Sequence, residues 1–320
     1  MTTDKGRRWW DALVLLALIW GSSFLLMKVA VGAMPPACVT LARLGIGSVT
    51  LLTVLRLKGL RLPRGRAVWG HSAVVAALVN VAPFTLFAWG ERQVSSVLAG
   101  IFNAVTPLLT LGVALVALPE ERPDRRRLLG IPLGFAGVLV VLGVWRAPDG
   151  PHLAGQAACL GAAACYAVGF PYARRHLAGR AESTVALSAA QVLAGTAECA
   201  LVAPVLSGGL PAVTGRWASP AVLAALLALG ALGTGVAYLL NYRVIRRAGA
   251  VAATTVTYLM PLVAAAAGVL LLGERLTWNQ PAGALVVLAG VAVGQGAVRP
   301  PDGGPRGARA SAGPVRDRKI

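Results

Sequence analysis

Hydrophobic residues fall along the chain in ten blocks of about twenty residues, joined by short links rich in Pro, Gly and Arg. A helix of about 20 residues crosses the roughly 30 Å hydrocarbon core of a bilayer. In lipid, a helix satisfies its backbone N–H and C=O groups within its own segment, and the blocks lack the alternation of a membrane β-barrel. The pattern predicts an all-α membrane protein with ten transmembrane helices. The predicted spans are residues 11–30, 36–55, 68–89, 95–118, 128–145, 153–173, 184–206, 219–241, 250–272 and 282–298.

The composition agrees with a membrane protein. Of the 320 residues, 57% are hydrophobic and 13% are charged, whereas about 25% of residues are charged in an average soluble domain. The start of the chain, with Lys5, Arg7 and Arg8 before an apolar run, resembles a signal peptide. The run is longer than an ordinary signal-peptide core and nine further spans follow it, which favours a first transmembrane helix.

Positive charge is concentrated on one side of the predicted topology. Of the 30 Lys and Arg residues, 24 lie in the termini and alternate links, four in the other links and two within spans. By the positive-inside rule both termini are cytoplasmic, in a multi-pass inner-membrane protein. Topology thus accounts for the net charge of +18 without a nucleic-acid partner. Residues 1–10 form a cytoplasmic N-tail, and residues 299–320 a disordered basic cytoplasmic tail suited to anionic lipid.

The chain contains an internal repeat between residues 95–143 and 250–296. Each half of the chain, 11–145 and 153–298, therefore holds five helices, and an odd number inserts the second half upside down. Such inverted repeats let transporters expose a midplane site to each side in turn. Chance similarity of Ala-, Gly- and Leu-rich helices is the alternative. The matches at an offset of 153 are Glu121-Arg122 with Glu274-Arg275 and Gly130, Gly137 and Gly143 with Gly283, Gly290 and Gly296, while Pro107 and Pro261 match after a one-residue gap.

Several motifs make the chain resemble the EamA family of the drug/metabolite transporter superfamily. They are WGSSFLLMK in span 1, Pro36 with Arg43 in span 2, a mid-span Pro with a trailing GER in spans 4 and 9, and a late GxxxxxxG. The first copy departs from the family pattern, reading PEER where LGER is usual. The resemblance covers residues 12–298. It implies two inverted five-helix repeats around a central cavity, no ATPase, and export of amino acids or other metabolites, with import by some members.

Polar and aromatic side chains within spans are candidates for solute binding, because polar groups are costly in lipid. We expect Lys28 to be an anion-attracting or gating charge at the cavity mouth, or its amine to reach the interface. Arg43 lies deeper, where a buried pair or a solute contact is expected. For Trp20, Ser22 and Ser23, close helix packing is the alternative. The candidate substrate-binding residues are Trp20, Ser22, Ser23, Lys28, Arg43, Asn80, Asn103, Tyr166, Tyr238, Asn241 and Tyr258.

Carboxylates have two expected roles. Glu198 is the one acid deep in a predicted span, so its protonation is a candidate for coupling transport to a proton gradient. A polar partner, or a position near the outer surface, is the alternative for this residue. Glu121 and Glu274 end their helices beside Arg, and we interpret them as parts of a repeated structural motif rather than as solute ligands.

Prolines and small residues mark predicted kinks and contacts. Pro83 and Pro171 lie inside spans, as do Pro107 and Pro261 of the structural motif, and a proline kinks a helix. GxxxG spacing in the last span of each half is typical of close helix pairs. We interpret it as packing within the chain or as the face of a homodimer. The glycines with this spacing are Gly130, Gly134, Gly290 and Gly294.

Motifs of enzyme chemistry are missing from the sequence. It contains no GxxxxGK[ST], HExxH or GxSxG, and His71, His152 and His176 are scattered. The four cysteines lie in apolar blocks without a CxxC pair, as small buried residues do. We therefore expect no enzyme activity, no cofactor and no metal site.

The sequence predicts a secondary transporter that works by alternating access. Its substrate is a small molecule, amino acid-like or another polar or amphipathic solute, with efflux favoured and a proton or the solute's own gradient as the drive. A lipid-linked carrier flippase, which needs a lateral opening, is one alternative. A membrane-embedded enzyme and a non-transporting scaffold or receptor are others, although a scaffold has no need of two inverted halves.

Overall fold

The computed structural model describes residues 3–117, 125–143, 145, 150–177, 180–209, 215–241, 243–244, 247 and 256–294. Within these ranges every regular element is helical and no strand occurs. Glu121 and the predicted tail 299–320 lie outside them. The α-helices are α1 (Thr3–Val31), α2 (Pro36–Leu57), α3 (Arg66–Ala76), α4 (Ala82–Gly90), α5 (Ser96–Asn103), α6 (Thr106–Ala117), α7 (Arg125–Leu142), α8 (Gly150–Leu177), α9 (Thr184–Leu206), α10 (Pro220–Leu227), α11 (Val256–Leu272) and α12 (Asn279–Gly294).

Seven helical segments of the described chain are long and apolar enough to cross a bilayer, and three further apolar helices are shorter. Each overlaps one of the predicted spans, in the same order. The seven are Trp10–Val31, Pro36–Leu57, Arg66–Gly90, Ser96–Val113, His152–Leu177, Thr184–Leu206 and Pro220–Asn241. The shorter helices are Leu129–Leu142, Val256–Leu272 and Asn279–Val293.

Large apolar side chains cover the outside of the bundle. Leu201 is 77% exposed, and Val205 and Leu270 are each 79% exposed. Soluble proteins rarely leave extensive apolar patches in water. The surface is one that lipid chains would cover, in agreement with a multi-pass membrane protein.

Prolines interrupt two of the spans that the sequence presents as continuous. The third span contains a π-helical turn at Ala77–Val81, just ahead of Pro83, and the fourth breaks at residues 104–105, just ahead of Pro107. A proline has no N–H for the helix ladder, and its ring clashes with the carbonyl four residues earlier. The irregular turn therefore falls immediately before each proline.

The eighth span is irregular for a different reason. Its middle is a π-helical segment, Ala228–Val236, which contains three glycines and no proline. By contrast, the helix continues through Pro171 in α8 and through Pro261 in α11. A mid-span proline alone therefore did not predict where the helices of this chain depart from α geometry.

The final helices of the two predicted halves, α7 and α12, pack backbone against backbone. A Cβ on Gly137 would lie 2.5 Å from the backbone nitrogen of Val287, and one on Gly290 would lie 2.6 Å from the Cα of Gly134. Only glycine permits this approach. At the 153-residue offset, Gly137 corresponds to Gly290 and Gly134 to Val287, so the two contacts are counterparts. The repeated glycines thus meet within one chain.

The two ends of the bundle differ in the charge of their connections, and we call them the basic end and the opposite end. The basic end carries connections 58–65 and 180–183, and the opposite end carries connections 32–35 and 91–95. At the basic end Leu60 and Leu62 pack in one cluster with Val185 of α9. At the opposite end Arg92 Nη2 donates to the carbonyl oxygen of Met34 at 3.1 Å, which joins the two connections there.

Candidate functional site

A cavity of about 550 Å³ lies in the centre of the bundle. It extends from Met27 and Asn103, in the half nearer the opposite end, to Arg180 and Glu182 in the connection at the basic end. Its walls are chiefly apolar, and no lining residue belongs to α7 or α12 within the part of the chain that is described. The cavity therefore reaches the basic end and stops short of the opposite end.

Arg43 places a buried cation in this cavity, with 4% of its surface exposed. Its Nε donates to Thr234 Oγ1 at 3.1 Å, and its Cζ lies 3.8 Å from the centre of the Phe84 ring. Among the described residues, no carboxylate pairs with it. A buried charge without a counter-ion is unfavourable, and the planar guanidinium suits a bidentate carboxylate or phosphate. The cavity is thus suited to an anionic group.

Aromatic rings form much of the remaining wall. Tyr166 and Phe170 stack with their centres 5.2 Å apart and their planes at 5°. Phe24 and Phe87 meet edge to face at 5.5 Å, and Trp20 lies beside them in the lining. Both ring arrangements are favourable. Together they offer an apolar surface next to the cation, which suits an amphipathic solute.

A buried amide network supports one wall. Gln191 Nε2 donates to Asn80 Oδ1 at 2.6 Å, and Asn80 Nδ2 donates to the Tyr238 hydroxyl at 2.9 Å. Gln191 and Tyr238 line the cavity, whereas Asn80 lies behind them and is 0% exposed. Buried polar groups are stable when they satisfy one another. The network therefore fixes the Tyr238 ring at the cavity wall.

The two π-helical segments supply polar groups at this wall. Asn80 lies in the turn Ala77–Val81, and Thr234 lies in Ala228–Val236 beside Gly233. The carbonyl oxygen of Gly233 accepts a hydrogen bond from Trp20 Nε1 at 3.1 Å. Such segments recur at functional sites in other proteins. In this protein, both π-helical segments contact a cavity residue at the place where the helix departs from α geometry.

The structure brings together most of the predicted substrate-binding residues. Asn80 lies one layer behind the cavity, Lys28 lies at the opposite end, and Ser22 and Tyr258 are not in the lining. Glu198 lies on α9 away from the cavity, and its coupling role stays a prediction. The predicted residues that line the cavity are Trp20, Ser23, Arg43, Asn103, Tyr166, Tyr238 and Asn241.

Several polar residues of the site, among them Ser188 and Thr184, were not predicted from the sequence, and three others show the reason. Gln191 and Thr106 line the cavity, and Thr234 accepts the hydrogen bond from Arg43. All three lie within apolar helical segments. The cost of polar groups in lipid, which selected Asn80 and Asn103, applies to the amide of Gln191 equally and would have found it. Threonine gives a weaker signal, because its hydroxyl can bond to its own helix.

The opposite end is closed by contacts between α1 and the connection 91–95. Lys28 Nζ donates to the carbonyl oxygens of Glu91 and Val94, the latter at 2.7 Å. The amine is therefore held by protein groups rather than extended towards the interface or the cavity. The side chain therefore joins α1 to the connection 91–95 at this end.

Glu274 makes a second contact across the same end. Its carboxylate accepts hydrogen bonds from the backbone N–H of Ser96 at 2.8 Å and of Val97 at 3.1 Å, and from the Ser96 hydroxyl at 3.0 Å. These N–H groups begin α5 and have no partner within their own helix. A negative charge is also favourable at a helix N-terminus. Glu274 thus joins the second half of the chain to the first.

Replacing Glu274 with Gln is expected to lower the thermal midpoint of the purified protein. The amide loses the charge and turns an NH₂ group towards backbone donors, at about 1.5–3 kcal/mol for hydrogen bonds to a charged group. The measurement is the temperature at which the monodisperse peak is lost in gel filtration. Arg275→Gln changes the exposed neighbour and is expected to leave the midpoint unchanged. Equal midpoints for the two variants would contradict this role of Glu274.

Two histidines that are distant in sequence meet at the basic end, in contrast to the scattered placement expected from sequence. The rings of His71 and His176 stack at 4.6 Å, and His71 Nδ1 lies 2.9 Å from the Tyr172 hydroxyl. They join α3 to α8 beside the cavity mouth at Arg174. No group of three or more His, Cys, Asp or Glu side chains suited to a metal was found in the described ranges.

A helical bundle with a lipid-compatible surface and a charged central cavity is an arrangement found in membrane transporters of small solutes. The profile of the EamA-like transporter family matches residues 8–143 and again residues 153–293. The chain belongs to this family.

Its relatives include several named transporters. The chain is 27% identical to the uncharacterized transporter YvbV of Bacillus subtilis, over 87% of this chain and 88% of that protein. It is 27% identical to the uncharacterized inner membrane transporter YedA of Escherichia coli, over 83% of each. One solved crystal structure shares the fold with a TM-score of 0.61 at 21% identity, covering 88% of this chain and 94% of that chain.

Proposed function

We propose that the protein is a secondary transporter that exports a small amphipathic solute across the inner membrane by alternating access. The observation that carries the proposal is Arg43, a buried cation that no described carboxylate pairs with, in a chiefly apolar cavity that contains several aromatic rings. Its guanidinium binds an anionic group of the solute, and the rings contact the apolar part. An organic carboxylate with an aromatic or branched apolar body, amino acid-like or not, meets both requirements.

The proposed architecture has ten crossing helices, in two inverted halves at 11–145 and 153–298. Seven long and three shorter apolar helices support the number of crossings. The contacts of Gly137 and Gly290 support a two-fold relation between the halves. In a two-fold pair, each contact from the first half to the second is repeated from the second half to the first. Labelling of cysteines placed near each terminus, from either side of the membrane, tests the topology. Termini on opposite faces would overturn it.

The proposed orientation rests on the charge at the basic end, which the positive-inside rule assigns to the cytoplasm. The cavity extends to this end, so in this orientation the conformation described is open to the cytoplasm, as an exporter needs for loading. A membrane potential contributes about 2.3 kcal/mol per charge per 100 mV. Outward movement of one negative charge from a negative interior is therefore favourable, so the potential can drive export of a monoanion.

Transport in proteoliposomes tests the solute class. Vesicles are loaded with radiolabelled aromatic or branched carboxylates, or with the matched uncharged amides, and efflux is followed at set potassium-diffusion potentials. We expect faster efflux of carboxylates than of amides, with acceleration when the compartment facing the basic end is negative. After the efflux from protein-free vesicles is subtracted, equal or faster efflux of the amides would contradict the role of Arg43. Absence of efflux for every compound, with folded protein in the vesicles, would contradict transport itself.

A further inference from the structure

Glu91 directly follows α4 at the opposite end and buries its carboxyl group. Its side chain is 0% exposed, and neither Oε1 nor Oε2 has a hydrogen-bond partner among the described residues. The adjacent Arg92 is exposed, so the same turn buries the Glu91 side chain and exposes the Arg92 side chain. An isolated ionised carboxylate is strongly unfavourable in such surroundings, and a buried carboxyl group takes up a proton instead.

Several titratable groups face Glu91 from the surrounding elements. Lys28 of α1 and Arg43 of α2 favour its ionised form, whereas Glu274 disfavours it. Cys159 of α8 is the other titratable neighbour. The Lys28 amine is already bound by two backbone carbonyls. Burial outweighs these charges and raises the pKa of Glu91 well above its usual range. The carboxyl group is therefore neutral in this conformation.

The carboxyl group lies in the layer that closes the cavity. Phe87, one helical turn before Glu91, is a cavity residue. Gly90 packs so tightly on α8 that a Cβ there would lie 2.7 Å from Cys159 Sγ. Lys28 joins α1 to the Glu91 carbonyl in the same layer. A passage from the cavity to the opposite end must separate these elements, and water would then reach the carboxyl group.

We propose that Glu91 is a proton-binding site of the outer gate: it is protonated when the opposite end is closed and releases its proton outward when that end opens. The proposal rests on the alternating access proposed above. Glu91 is not in the lining of the cavity, so in this conformation its carboxyl group does not face the compartment at the basic end. It acts on the gate and is not carried with the solute.

The sign of the pH effect follows from linkage. The closed state holds Glu91 with a raised pKa, and the open state restores its ordinary value in water. When the external pH is below the ordinary pKa of a carboxyl group, Glu91 is protonated in both states. Ionisation then favours neither the closed nor the open state. As external pH rises above that value, only the open state releases its proton, so closing is progressively disfavoured, by up to about tenfold per pH unit. Alkaline pH outside therefore favours the outward-open gate.

Cys159 provides a native reporter for this gate, because it is 0% exposed beneath Gly90 when the end is closed. In a variant with Cys38, Cys165 and Cys199 changed to Ser, a membrane-impermeant maleimide is applied from outside at pH values from about 5 to about 8. We expect the labelling rate, corrected for thiol reactivity, to rise at least about tenfold over this range. Glu91→Gln, neutral at every pH and nearly isosteric, is expected to abolish the corrected rise and hold labelling at the low-pH level.

Two controls separate the gate from the chemistry of the label. Arg92→Cys, with all four native cysteines replaced, presents an exposed thiol in the same turn and gives the pH dependence of the reaction itself. Asp11→Asn, in the background that retains Cys159, removes an exposed acid of α1 that lies outside the gate and is expected to keep the pH-dependent labelling. Solute is not needed for either measurement, so the result does not depend on identifying the substrate.

The outcomes distinguish this proposal from the proposed function. A corrected rate that is independent of pH, or a rise that persists in Glu91→Gln, would overturn the role of Glu91 and leave transport untouched. No labelling of Cys159 at any pH, with the Arg92→Cys control labelled, would overturn alternating access and the gate with it. A rise that depends on Glu91 supports the gate even if the tested carboxylates are not transported.

Discussion

Arg43→Gln is expected to lower the transport efficiency of a carboxylate solute about tenfold to a hundredfold. Hydrogen bonds to a charged group contribute about 1.5–3 kcal/mol, and the substitution removes the one cation buried in the described lining of the cavity. The measurement is the initial rate of efflux against solute concentration in proteoliposomes. For the matched uncharged amide the same substitution is expected to change the rate little.

Stability provides an independent signature of this residue. A buried guanidinium without a counter-ion is unfavourable, and neutral replacements of buried charges are often neutral or stabilising. Arg43→Gln should therefore keep or raise the thermal midpoint while it lowers transport. Arg43→Lys retains the charge but loses the planar fork and the bond to Thr234, so an intermediate loss is expected. Wild-type transport by Arg43→Gln, or loss of folded protein, would contradict this account.

Gly137→Ala is expected to destabilise the protein by about 1–3 kcal/mol, the usual cost of overpacking. The added Cβ would lie 2.5 Å from the backbone nitrogen of Val287 and 2.9 Å from the carbonyl oxygen of Gly283. Both are backbone atoms, so no side-chain rotation relieves the clash and α7 must move away from α12. The thermal midpoint of the purified protein, followed by gel filtration, measures the effect.

Gly45→Ala is the matched control, because nothing lies within 4 Å of a Cβ at this position in α2. Alanine is favoured over glycine within a helix by about 0.5–1 kcal/mol, so this variant should melt at the same temperature or higher. Gly290→Ala alters the same interface from its counterpart position, and its effect should not add fully to that of Gly137→Ala. Equal midpoints for the Gly137 and Gly45 variants would show that the helices are not held at backbone distance.

The all-helical membrane fold was predictable from sequence, because lipid imposes a simple rule on long apolar segments. The rule is insensitive to irregular turns, so it did not predict which spans depart from α geometry. Pro83 and Pro107 coincide with a π-helical turn and a break, whereas Pro171 and Pro261 lie in continuous helices. The outcome depends on whether neighbouring groups can satisfy the freed carbonyl, which is a property of the packed bundle.

The sequence indicated which residues are candidates for the site, but it did not indicate which of them face the cavity. The cost of polar groups in lipid selected Arg43 and Asn103, which line the cavity, and also Lys28 and Ser22, which do not. Whether a side chain faces the cavity depends on the rotation of its helix about its axis. These helices are apolar on most faces, so the periodicity of polar residues does not indicate that rotation. Glu91 escaped selection because it follows the predicted end of a span, where an acid is expected to meet water. Only the packing around that turn shows that its carboxyl group is buried.

The pairing of α7 with α12 has a mechanical consequence. Counterpart residues touch there, so a two-fold axis relating the proposed halves would pass through this seam, and neither helix lines the described cavity. When the halves exchange conformations, points on such an axis are displaced least. The contact between α7 and α12 would then stay nearly fixed while the cavity-lining helices tilt about it.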